Sequence, residues 1–191
     1  MTERSLSDRV PLAAGAAAGA AAYLLGYLVT YVWQSGSVEE RLQGVNFLAD
    51  LFGSDPIPVW KAVGWLFYNA HFVRTRFEGG LGGPRSENFI AAAEGGSLAL
   101  LYLVPVVLLV GAGLAVVALD GADEPADGAL AGAAAVVGYL PLAVVGAFLF
   151  SYDGSIAPDA VTAVLLAGVV YPLALGAVGG GVAVVAGLGE D

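Results

Sequence analysis

Few side chains in this sequence are equipped for chemistry. The most suggestive are three tyrosines that each stand close to a proline: Tyr102 with Pro105, Tyr139 with Pro141 and Tyr171 with Pro172. A proline within a helix removes one N–H, frees the carbonyl a turn earlier and bends the axis. A phenolic hydroxyl beside such a bend can satisfy the freed carbonyl or line a polar constriction. Three bends that met would form a narrow passage for a neutral or weakly polar solute; ordinary kinking of apolar helices gives the same spacing without one. Tyrosines alone cannot couple transport to an ion. His71, the sole histidine, is the remaining acid–base candidate near neutral pH. No serine–aspartate pattern accompanies it, and its polar neighbours in sequence are Asn69, Arg74 and Arg76.

Much other chemistry is excluded. The absence of cysteine rules out disulfides, thiolate metal sites and cysteine nucleophiles, and a single histidine cannot build a histidine metal cluster. The glycine-rich turn Gly79–Gly83 lacks the lysine and hydroxyl residue of a phosphate-cradling loop. The acids Asp120, Asp123, Glu124 and Asp127 do not follow calcium-loop spacing and read as a solvated turn. No Asn-x-Ser/Thr sequon occurs. These exclusions predict a protein that is not an enzyme and carries no cofactor and no metal.

The elements that must hold these residues are long apolar runs, at about 11–33, 97–119, 129–150 and 160–188. None contains Asp, Glu, Lys, Arg or His. About 20 apolar residues at 1.5 Å each cross the roughly 30 Å hydrocarbon layer of a bilayer. The expectation is an all-α integral membrane protein of four transmembrane helices in one membrane domain over residues 1–191. Arg4 and Arg9 precede the first run as in a signal peptide. The run is too long for one, however, and ends in the interfacial anchors Tyr27, Tyr31 and Trp33. Gly15 and Gly19 in the first run, and Gly176 and Gly180 in the last, have the four-residue spacing that lets helix backbones approach closely.

Residues 34–96 form the one long connection and read as a structured loop. Within it, 37–51 has acids early and apolar residues at helical spacing, which predicts a short amphipathic helix separate from the first span. Residues 59–73 place Val59, Ala62, Val63, Leu66, Ala70 and Val73 on one face, with Lys61, Tyr68, Asn69 and His71 toward the other. This pattern predicts a second loop helix lying at the membrane interface; the alternative is a short fifth span. Trp60, Trp65, Tyr68, Asn69, His71, Arg74 and Arg76 then make up the candidate interaction surface. Arg4 and Arg9 favour a cytoplasmic N-terminus, while a fifth span would bring Arg74, Arg76 and Arg85 to that side and reverse the C-terminus.

Net charge is −10, and from Ser97 onward there are eight acids and no lysine or arginine. Such a surface repels nucleic acid and anionic headgroups. Acidic loops, a single lysine (Lys61) and abundant Ala, Gly and Val suit a salt-loving archaeon, since molar salt shortens the Debye length to about 3 Å. The stretches Gly64-Trp-Leu-Phe-Tyr-Asn-Ala-His-Phe-Val73, Arg85-Ser-Glu-Asn-Phe-Ile90, the Tyr102-Leu-Val-Pro105 helix and Gly146-Ala-Phe-Leu-Phe150 complete the picture. The chain resembles small haloarchaeal multi-span membrane proteins of uncharacterised activity. That resemblance implies a cell-membrane location and carries over no functional residue. In layout, one long first loop and then short turns, the chain is similar to claudin-like four-helix proteins. The functional expectation is a non-enzymatic component acting through helix and loop contacts in the bilayer, by self-assembly or beside another membrane protein. A small transporter or channel is the alternative.

Overall fold

Helix α1 follows Pro11 and runs unbroken from Leu12 to Leu51, 40 residues and about 60 Å. The computed structural model describes residues 11–79, 83–93 and 95–188. Arg4, Arg9, Glu190, Asp191 and the centre of the Gly79–Gly83 turn lie outside them. The continuity of α1 corrects the expectation of two helices divided near residue 34. No proline interrupts the chain there, and the buried stripe Gly26, Thr30, Gln34 and Val38 continues at four-residue steps through the expected break.

Among the described residues four helices are long and apolar enough to cross a membrane: Leu12–Leu51, Ser97–Asp120, Pro125–Leu149 and Ala160–Val185. They are called spans below. Loop helix α2, Val59–Asn69, has 11 residues. At about 17 Å it is too short to be a fifth span. The third span starts at Pro125, four residues earlier than expected, because proline suits the first helical position and Asp127 favours the positive end of the dipole.

The three proline sites are accommodated in different ways. The second span opens with a 3₁₀ stretch, Ser97–Tyr102, before α4, Leu103–Asp120, so Pro105 lies just past the junction. The third divides into α5, Pro125–Ala133, and α6, Val136–Leu149, with Pro141 inside α6. In the fourth, a π-helical stretch, Ala163–Val170, precedes α7, Tyr171–Val185, with Pro172 in the first turn of α7. The wider π turns lie where Pro172 supplies no N–H to the ladder.

Glycine sets the spacing between spans. α1 runs alongside the third span in the same direction: Gly15 meets Ala134, Gly19 meets Ala135, and Gly146 meets Tyr23. α5 and α7 run in opposite directions, Gly132 beside Gly176 and Gly128 beside Gly180, while Gly113 and Gly179 bring α4 against α7. A Cβ at Gly19, Gly132, Gly176 or Gly180 would run into the backbone of the facing helix.

The fold is not purely helical. Strands β1 (Thr75–Phe77), β2 (Arg85–Glu87) and β3 (Ile156–Pro158) form an antiparallel sheet in the order β2-β1-β3. Arg76 lies opposite both Ser86 and Ala157. Each strand has three residues, too few for a period-two signal, and β3 comes from the distant connection between the third and fourth spans.

Candidate functional site

Helix α2 begins after Pro58 and carries side chains into the bundle on every face. Ala62 through Asn69 are all buried, and Val63 and Tyr68 are wholly inaccessible. The face expected to turn its polar groups toward headgroups is therefore inside the protein, because those groups find partners there.

Lys61 and Trp65, one helical turn apart, hold the C-terminal end of the third span. Lys61 Nζ donates to the carbonyl of Ser151 at 2.5 Å and Trp65 Nε1 to that of Phe150 at 2.8 Å. These carbonyls lie where a helix has no N–H left to offer, and a cation there also complements the dipole. Deeper in, Tyr68 donates to the carbonyl of Ala143, and its hydroxyl lies 3.1 Å from that of Tyr23 on α1. Burial pushes the Tyr68 hydroxyl pKa up, and the neighbouring Tyr23 adds to the shift, so it stays protonated as a donor.

His71 lies beyond the last turn of α2, with no exposed surface. Its Nδ1 is 2.8 Å from the carbonyl of Phe67 and its Nε2 is 2.6 Å from the hydroxyl of Tyr139. A carbonyl only accepts, so Nδ1 carries the proton and Nε2 accepts from Tyr139. Burial lowers the His71 pKa from 6.5 to about 4, against a smaller opposing effect of the Phe67 carbonyl. The ring is neutral at ordinary pH. Its other neighbours are aromatic: Phe67 at 4.9 Å and Tyr171 at 5.1 Å between ring centres.

Two of the three tyrosines beside prolines, Tyr139 and Tyr171, thus converge on His71. Tyr102 stands one layer out, stacked on Phe72 at 4.6 Å and donating to Asn88 Oδ1 at 3.4 Å. The loop segment, through His71, occupies the space beside Tyr139 and Tyr171. Asn69 organises the turn that follows: its amide donates to the Val73 carbonyl and Thr75 Oγ1, and its Oδ1 accepts from the N–H of Phe89. Asn88 donates to the Asn69 carbonyl and caps the short helix α3, Phe89–Ala92. No buried side-chain nitrogen or oxygen among the described residues lacks a partner.

The remaining candidates lie nearer the surface. Trp60 is partly exposed beside Phe150, and its carbonyl accepts from Tyr27. Arg74 and Arg76 are exposed on one face of the sheet. Among the described residues no group of three His, Cys, Asp or Glu is placed to hold a metal ion. The neutral imidazole of His71 is held at both ring nitrogens, by a carbonyl and a phenol.

Sequence reasoning passed over Tyr23, the capping role of Lys61, and Asn88. Asn88 had a readable signal, an asparagine just before Phe89-Ile90 at a helix start. Tyr23 had none, because its partner Tyr68 is 45 residues away. No curated protein and no solved structure matches this chain. One family model does, over residues 1–187, nearly the whole chain. The protein belongs to that family, DUF7978, a family of unknown function.

Proposed function

We propose that this chain is a non-enzymatic multi-pass membrane protein that works through contacts, made chiefly by the projecting half of α1. The supporting observation is where apolar surface remains. The charge-free part of α1, residues 11–33, matches a bilayer core, so residues 34–51 extend past it by about 27 Å. That extension bears Glu39, Glu40, Arg41 and Asp50, which keep it out of hydrocarbon. It nevertheless exposes Phe47, Leu48, Leu51 and, just past its end, Phe52, the last at 83%. Large apolar side chains grouped outside the membrane mark an interaction site. Of the loop aromatics first expected to serve this role, Trp65 and Tyr68 are buried in the bundle and Trp60 stays partly exposed.

The occupant is a further copy of the chain or another membrane protein. The setting we infer is the cell membrane of a salt-loving archaeon, with Trp60 at the interface. Transport of a neutral solute, the second reading, would need His71 to leave its place among Tyr139, Tyr171 and Phe67. Extraction in a mild detergent followed by mass measurement tests the contact reading. The intact protein should run above monomer mass, through extra copies or a retained partner. Phe47→Ser with Leu51→Ser should run as monomer, still folded by circular dichroism. A monomeric wild type, or a double variant of unchanged mass, would overturn it.

A further inference from the structure

Three of the chain's six arginines, Arg74, Arg76 and Arg85, sit on the β1–β2 hairpin of an otherwise acidic protein. Strand alternation sorts them. Arg74 and Arg76 are two residues apart and share a face, and Ser86, directly opposite Arg76, joins them. Arg85 lies opposite Phe77 on the other face, its guanidinium 4.5 Å from the Phe77 ring centre. In front of the first face is a cavity of about 330 Å³ lined by Phe72, Arg74, Arg76, Ser86, Asp159 and Thr162.

Charge and hydrogen bonding within this cavity are uneven. Arg76 is engaged, 2.5 Å from Glu78 and 3.8 Å from Asp159. Asp159 is occupied as the cap of the fourth span, accepting from the N–H and hydroxyl of Thr162. Arg74 has no ion pair or side-chain hydrogen bond among the described residues; only its carbonyl is used, accepting from the N–H of Asp159 at 2.8 Å. The cavity walls carry two guanidinium groups and one carboxylate, and Glu78 offsets Arg76 from just beyond them, which leaves the Arg74 guanidinium as the group not yet engaged. Phe72 beside them holds a left-handed backbone, φ 59°, unusual for a bulky side chain and concentrated at sites under constraint. That turn brings the chain from buried His71 to exposed Arg74.

The geometry points to a phosphate-binding site in this cavity, with Arg74 as the principal donor, Arg76 and Ser86 completing it, and either the headgroup of an anionic lipid or free phosphate as ligand. Guanidinium forks match the paired oxygens of a phosphate, and a free hydroxyl adds a third donor. Asp159 caps the start of the fourth span, so the cavity lies at the rim of the bundle, where a headgroup would be found. The acidic surface repels anions elsewhere; the unengaged guanidinium of Arg74 is the local exception.

Thermal melting of the full chain in a neutral detergent at fixed ionic strength tests this. Inorganic phosphate replaces chloride in one arm, and phosphatidylglycerol replaces phosphatidylcholine in mixed micelles in the other. A saturable rise in melting temperature is expected in at least one arm. Half-saturation should need about tenfold more ligand in Arg74→Gln. Arg85→Gln, with the same change in net charge on the opposite face, should match wild type. A response to lipid alone identifies a headgroup site, to phosphate alone a soluble-anion site, and to both a site that reads the phosphate group itself. No saturable rise in either arm, or equal loss in the two variants, would overturn the proposal.

Discussion

The two halves of the bundle are held together by opposite means. Where α5 and α7 meet, Gly128, Gly132, Gly176 and Gly180 remove side chains so that backbones touch. Where α1 and the third span receive the loop, Tyr23, Trp65, Phe67, Tyr68, His71 and Tyr139 fill the space, tied by hydrogen bonds. The glycine seam gains dispersion contact and tolerates no added atom. The aromatic half gains shape and polar satisfaction, so it tolerates the loss of one bond at the cost of a buried group left unpaired. In lipid, where apolar burial does not drive helices together, both solutions make sense. The glycine seam uses no ionised group, and the aromatic half uses one at its edge, Lys61 on the Ser151 carbonyl.

Substitutions should separate the halves, with the glycine seam failing most severely. Gly132→Val would drive its side chain into the Gly176 carbonyl, and a loss above about 3 kcal/mol, or no folded protein, is expected in detergent melts. Gly111→Ala is the matching control. It faces open space in α4 and should be neutral or stabilise by up to about 1 kcal/mol.

Acid should weaken only the aromatic half. His71 titrates near 6.5 when unfolded and near 4 when buried, so the unfolded chain holds the extra proton between those values. This contribution to stability is complete above pH 6.5 and falls toward pH 4, by roughly 3 kcal/mol in all. Melting temperature against pH, compared between wild type and His71→Gln, should show the variant lacking that part of the slope. Histidine ¹⁵N shifts should report a neutral ring to about pH 5.

Smaller losses come from single bonds. Tyr139→Phe leaves His71 Nε2 without its donor and should cost about 1–3 kcal/mol. Trp65→Phe releases only the Phe150 carbonyl at a helix end and should cost about 1 kcal/mol, read from the same melts. Equal losses from Gly132→Val and Trp65→Phe would erase the distinction between the halves.

The four long apolar helices could be read from sequence because charge-free apolar runs of about 20 or more residues are too long for strands and have the length of a helix that crosses a bilayer. The pairing of Gly15 and Gly19 with Ala134 and Ala135, or of Tyr68 with Tyr23, could not, since spacing names a face and never its partner. Residues 59–73 show the limit most clearly. Their mixture of Trp, Tyr, Asn and His is what an interfacial helix displays, and equally what a buried helix displays when every polar group has a partner. Sequence alone gives no count of partners. The extension of α1 was hidden by a drop in hydropathy after Trp33, which marks where hydrocarbon would end and not where a helix must.

Hydrogen exchange resolved by segment tests most directly whether the loop is core and the end of α1 is surface. Backbone amides of residues 62–71 should exchange as slowly as those of α6, while residues 44–52 exchange faster by orders of magnitude. Exchange at 62–71 as fast as at 44–52 would show that the loop helix lies on the outside, and would contradict the account.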